Sequence, residues 1–167
     1  MGGGQHIVSD QERTEDGRYL VIDGKKWRAS DPGIPERLRS ELVKELMAAR
    51  RLVKTRGDAV RFRVQDAKVA LGERGEPWWE PTDSGRRERA ASAIRSLLRQ
   101  RNGSTICPSD AARIIGSENW RDLMPLVREV AGELADQGQV RITQKGQAAA
   151  ADARGPIRLA PGEHLEL

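Results

Sequence analysis

Between residues 84 and 159 the apolar residues follow one order of spacings, which constrains the fold more than any other feature of the chain. A start at Ser84 leads into Ala90, Ile94, Leu97 and Leu98 at helical intervals, and Asn102-Gly103 ends that run. Ser104-Thr-Ile106 is short and β-prone, and Pro108-Ser109-Asp110 opens a brief helix that Gly116 closes. Leu123, Val127, Val130 and Leu134 then recur at helical spacing and predict a longer helix over about 120–137. Residues 140–143 read as a strand, Lys145-Gly146 as a turn and 155–159 as a returning strand. Helix, short strand, helix, helix, strand, strand is the order of a winged helix-turn-helix. Three helices would bury one small core and a hairpin would cover its open edge.

Upstream, the signals predict a smaller module over 17–80. Asp23-Gly24 separates the β-prone runs Arg18-Tyr-Leu-Val-Ile22 and Lys25-Lys-Trp-Arg28, the signature of a tight hairpin whose turn needs positive φ at both central residues. Leu38, Leu42, Leu46, Ala49 and Val53 mark a helix that Gly57 stops. The next segment alternates like a strand at Val60-Arg-Phe-Arg-Val64, but Val60, Val64, Ala67 and Leu71 share a helical face, and the helix explains more residues. Glu-Pro-Trp-Trp-Glu-Pro at 76–81 is a stiff connector. The expected class is α+β: a polar tail over 1–16, the hairpin with two basic helices over 17–80, a winged helix over 84–160 and a short tail over 161–167. Because residues 86–159 hold a complete apolar set, they are expected to fold in isolation.

Charge narrows the partner. Residues 35–75 carry eleven Lys/Arg against six Asp/Glu, and residues 84–145 carry eleven against seven. Two separately basic modules suit a polyanion, of which nucleic acid is the commonest; an arginine-rich solvated surface is the plainer alternative. No stretch is apolar enough for a membrane span, and the polar start lacks the apolar region of a secretory leader, so a cytoplasmic chain is expected. One cysteine and two histidines exclude a disulfide framework and a Cys/His zinc site. No Walker loop, GxSxG or HExxH occurs. No enzyme, metal or cofactor is expected.

The run Ile106-Cys-Pro-Ser-Asp-Ala-Ala-Arg113 also carries a resemblance, together with Trp120-Arg121, Met124, Arg128, Ala131, Leu134, Ile142-Thr-Gln-Lys-Gly146 and Gly155-Pro-Ile-Arg-Leu159. In combination these residues resemble an uncharacterised bacterial winged-helix family, a domain of unknown function, over about half the chain. Ala49-Arg-Arg51, Ala67-Lys68, Leu71-Gly-Glu-Arg-Gly75 and Trp78-Trp79 are similar to a leading segment found in longer relatives. The family has no established activity, so the resemblance implies a fold and leaves the function open. The alanines at 148–151 depart from it, standing where a more polar wing tip would grip phosphate better.

Winged helices commonly set the third helix in a major groove and the wing against phosphates. Here Arg121, Pro125, Arg128 and Gly132 share one helical stripe, which is expected to present two guanidiniums to base edges or phosphates. Ser109 and Arg113 would add backbone contacts from the helix before, and Arg141 and Lys145 from the wing. A neighbouring stripe of Asp122, Glu129, Glu133 and Asp136 opposes that approach and favours a solvated, ion-paired helix. Arg50, Arg51, Lys54, Arg56, Arg61 and Arg63 form the densest basic run. Its first half also suits the macrodipole at a helix C-terminus, whereas Arg61 and Arg63 have no such reason. Trp78-Trp79 is expected to glue the connector to a core, and Trp27 and Trp120 to sit in cores. The expectation is a nucleic-acid-binding protein that prefers double-stranded DNA. A protein-protein adaptor and an RNA- or ribosome-associated protein are the alternatives.

Overall fold

The computed structural model describes residues 12–167. Two strands, β1 (Tyr19–Ile22) and β2 (Lys25–Arg28), pair antiparallel with Leu20 opposite Trp27 and Ile22 opposite Lys25. Asp23 and Gly24 take φ of 51° and 77°, as the tight turn requires. The chain before β1 is not free over 12–16. Arg13 bridges Leu20, and the Val21 amide donates to the Glu12 carbonyl at 2.8 Å. The remainder of the expected tail lies outside the described residues.

Helix α1 (Glu36–Arg56) buries Leu38, Leu42, Leu46 and Ala49. A single 3₁₀ turn at Gly57–Val60 leads into α2 (Arg61–Leu71), which ends at Gly72 in a left-handed cap. The helical reading of this ambiguous segment therefore holds. Trp78 donates its indole N–H to the Ala29 carbonyl at 3.0 Å, and Trp79 stacks edge-on against Trp78 and Tyr19. The connector is thus fastened to the hairpin. Trp27, expected in a core, is instead 52% exposed, because it lies on the hairpin face away from Tyr19 and Trp79.

Helix α3 (Asp83–Arg101) starts one residue before the expected position, capped by Thr82, whose hydroxyl accepts from the Gly85 amide at 3.2 Å. Helix α4 (Pro108–Gly116) follows, with Asp110 reaching back to the Cys107 amide at 3.2 Å. The predicted long helix over 120–137 is two elements. Ser117–Leu123 is a 3₁₀ segment interrupted by non-helical backbone at Asn119, and α5 is confined to Met124–Asp136. Pro125 accounts for the division: it lacks an N–H and fits only the first helical turn.

Strands β3 (Val140–Gln144), β4 (Gln147–Ala148) and β5 (Arg158–Pro161) form an antiparallel sheet in the order β4-β3-β5. Lys145-Gly146 makes the β3–β4 turn with both φ positive. The returning strand lies slightly later than 155–159 and on the other edge of β3. Ile106 exchanges two backbone hydrogen bonds with Leu159, so the short β-prone run contributes one bridge. The last residues, expected as a tail, are pinned: Leu165 is buried, and the Glu166 carbonyl accepts from Arg99 at 2.8 Å.

The whole is mixed α and β with two small antiparallel sheets. One apolar core runs through it: Leu38, Leu42 and Leu46 of α1 and Leu71 of α2 join Ile94 and Leu97 of α3, Ile114 of α4, Val127 of α5, and Ile142 and Leu159 of the sheet.

Candidate nucleic-acid interface

The ten cations and hydroxyls expected to touch nucleic acid do not converge on one surface. Arg63 turns inward, and its Nε and Nη2 donate to Glu45 at 2.9 and 2.8 Å, with the glutamate side chain 1% exposed. Arg61 stays in solvent, paired with Asp58. Arg50 and Arg51 are neighbours on an exposed stretch of α1, but Arg50 lines a cleft beneath the hairpin. Helical geometry separates what the linear run suggested was a single patch.

On the other half, Arg128 is committed to structure. Its Nη1 donates to the Ala151 and Ala153 carbonyls at 3.1 and 2.8 Å, and its Nη2 to Gly155 at 2.6 Å. The guanidinium therefore laces α5 to the loop between β4 and β5. Arg121 is exposed but lies in the 3₁₀ segment, so the expected Arg121–Arg128 stripe does not form. The exposed side chains of α5 are instead Pro125, Glu129, Glu133 and Asp136. Arg87 of α3 ties two of these carboxylates to its own helix, contacting Glu129 and lying 3.6 Å from Glu133. The hydrogen bonds that Arg87 donates to Glu129 and Asp83 raise its pKa above the ordinary value. A helix face that presents three carboxylates and no free cation repels phosphate.

Two other groupings keep their charge available. Arg113 of α4 and Arg121 place their guanidiniums 4.3 and 4.5 Å from the centre of the Trp120 ring, and both remain exposed. Trp120 itself is only partly buried, with its body packed on the core. The indole thus holds two arginines through cation–π contact without neutralising them.

The second grouping surrounds the sheet. Lys145, Arg154 and Arg158 line a shallow groove of about 470 Å³ with Gln144, Gly155 and Pro156, and no carboxylate takes part. Gln144 fixes the groove floor by donating to the Arg154 and Pro156 carbonyls. Arg158 is oriented by Thr105, donating to its hydroxyl at 2.9 Å and its carbonyl at 3.1 Å. Arg154 and Arg158 are not among the candidates the sequence offers, because the alanines at 148–151 mark the wing tip as weakly polar. The two arginines flanking Gly155-Pro156 were the available signal. Arg141 is exposed on β3 and leans on the Pro161 carbonyl at 3.3 Å. Ser109 donates to the Cys107 sulfur at 3.0 Å and so completes the start of α4.

Among the described residues no group of His, Cys, Asp and Glu could hold a metal ion, and no helix is long and apolar enough to cross a membrane. No curated protein matches the chain. Residues 87–161 match a family described as a protein of unknown function (DUF3253), and a domain of that uncharacterised family covers most of α3 through β5.

Proposed function

We propose that the chain is a nucleic-acid-binding protein, and that residues 84–160 form a winged helix gripping double-stranded DNA mainly by its phosphates. The order α3, α4, α5 and the sheet β4-β3-β5 supports the winged-helix reading, with β3, β4 and the following loop as the wing. One observation carries the binding reading: the groove at Lys145, Arg154 and Arg158 is lined by three cations and no acid. Phosphate contacts of this kind position a duplex without reading its sequence. The acidic outer face of α5 argues against base readout by that helix, so weak sequence preference and strong salt dependence are expected.

A mobility-shift titration of duplex DNA against salt tests this. Replacing Lys145 and Arg154 together by alanine removes up to two phosphate contacts and should flatten the log–log salt slope by roughly 1–2 units. An unchanged slope with intact affinity rejects the groove as the contact. RNA competing as well as duplex DNA would reject the DNA preference.

An adaptor role is the second reading, favoured by a specific feature. Pro125, Ala151 and the stem of Arg128 line a largely apolar hollow edged by Glu129 and Asp152, which suits a basic peptide better than a phosphate backbone. The absence of duplex binding by the wild-type chain at low salt would favour it.

A further inference from the structure

A second concave site lies far along the chain from the groove. A cleft of about 550 Å³ separates the hairpin from α1 and α2. Small-molecule sites typically occupy about 300–1,000 Å³. Its walls differ in character. The hairpin side carries the apolar surface, edged by Arg13 and Arg28: Leu20 and Ile22 share one face of β1, and Trp27 stands opposite Leu20 on β2. Trp27 and Ile22 are left 52% and 38% exposed, so this wall offers apolar surface to a ligand. The helix side is cationic. Arg39 and Arg50 lie eleven residues apart on α1, about three turns and so on one face over roughly 16 Å, and Lys68 joins them from α2.

Five cations line the cleft (Arg13, Arg28, Arg39, Arg50 and Lys68) against one acid, Glu73, which is engaged by the Ser30 hydroxyl at 2.6 Å. Arg28 and Arg39 are partly satisfied, donating to the Gly75 and Asp31 carbonyls, and Arg39 also lies 3.8 Å from Glu36, outside the cleft lining. Arg13, Arg50 and Lys68 find no side-chain hydrogen bond or ion pair among the described residues. Burial, reinforced by the charges of Arg74 and Arg50, pushes the Lys68 ammonium below its ordinary pKa, while Glu73 opposes the shift only in part. Like charges gathered in a concavity destabilise the protein unless an anion neutralises them.

We propose that this cleft binds a nucleoside di- or triphosphate, with its phosphates on Arg50 and Lys68 and its base against Trp27. A bare phosphate would leave the indole wall uncovered, and an apolar ligand would leave the cations unpaired. A nucleotide carries a planar ring and a polyanion on one small molecule, which matches the two walls. The inference is independent of the nucleic-acid reading, since none of the groove residues contributes to the cleft.

Isothermal titration of the full chain with ATP, ADP, pyrophosphate and adenosine tests it, with duplex binding measured on the same sample. ATP and ADP should bind and adenosine should not. The double variant Arg50→Gln with Lys68→Gln should weaken ATP by at least about tenfold, as loss of charge-assisted hydrogen bonds implies. Trp27→Ala, at an exposed position that cannot disturb the core, should weaken ATP but leave pyrophosphate unaffected. No binding of either nucleotide at up to about 1 mM overturns the proposal. So does equal affinity in the folded double variant, equal binding of adenosine, or a Trp27→Ala variant that keeps full ATP affinity. Nucleotide binding without duplex binding keeps the cleft and rejects the interface; the reverse result does the opposite.

Discussion

Arg61 and Arg63 are two positions apart on one helix and meet opposite environments. Arg63 forms a two-pronged pair with a glutamate of α1 that water does not reach, whereas Arg61 reaches only an exposed aspartate. Removing one partner of a buried pair leaves an uncompensated charge, so Arg63→Ala should cost about 3–5 kcal/mol. Arg61→Ala should stay within about 0.5 kcal/mol. Urea denaturation of the two variants separates them, and equal midpoints would refute the distinction. Asp66 makes a pH-dependent case of the same kind. Burial pushes its carboxyl up, but hydrogen bonds and charge from Arg95 and Arg99 outweigh burial and hold it below the ordinary value of 3.8. The unfolded chain then takes up the proton before the folded one does. The resulting stability is complete above the unfolded value and is lost as pH falls through it toward the folded value. Stability should therefore decline below about pH 4. Asp66→Asn should be less stable at neutral pH and show a flatter decline in acid. An unaltered acid profile would assign the acid transition to other carboxylates.

At the scale of elements, the spacing of apolar side chains marks α1, α2, α3 and the body of α5, because burial on one face is what fixes a helix in place, while the start and stop residues Pro108 and Gly116 mark α4. The hairpin was equally legible, since Asp23-Gly24 supplies backbone freedom that few other pairs can. Side-chain partners were not legible. Nothing local in Arg128 announces that three carbonyls of a loop more than twenty residues later will surround it. The break ahead of α5 was missed because Leu123 and Val127 keep helical spacing across it, while Asn119 and Pro125 disrupt the backbone itself. As a result the Arg121–Arg128 stripe does not form, and the candidate cations left unpaired by acids among the described residues include Lys145 and the two arginines on Trp120, with Arg154 beside Lys145. A measurable consequence follows for the loop. Arg128→Ala leaves the Ala151, Ala153 and Gly155 carbonyls without their shared donor, so the β4–β5 loop should exchange amide hydrogens and be cut by protease faster. The global cost should be about 1–3 kcal/mol. Unchanged loop protection would show that the Arg128 lacing is incidental.

Over the whole molecule, α3 decides whether the chain is two modules or one. Its inner face meets α4 and α5 on one side and α1 and α2 on the other, and the apolar core passes through it without interruption. The same helix carries six arginines against two acids. Their neutralising partners lie largely upstream: Asp31 for Arg89 at 2.9 Å, Asp66 for Arg95 and Arg99 at 2.8 and 2.6 Å, and Glu41 for Arg101 at 2.7 Å. A chain beginning at Pro81 would keep the apolar residues that made isolated folding attractive in the sequence. It would also expose the face of α3 that Leu71, Ala67 and Leu42 cover, and leave four arginines on one helix without most of their counter-charges. Hydrophobic loss and charge repulsion act in the same direction there. Residues 81–167 alone should therefore show helical circular dichroism but no single cooperative thermal transition, while the full chain shows one. High salt should recover part of the fragment's structure, because screening relieves the arginine repulsion but cannot restore the buried surface. A fragment that melts cooperatively at the midpoint of the full chain would show that the DUF3253 region is an independent folding unit and that α1 and α2 are an appended layer.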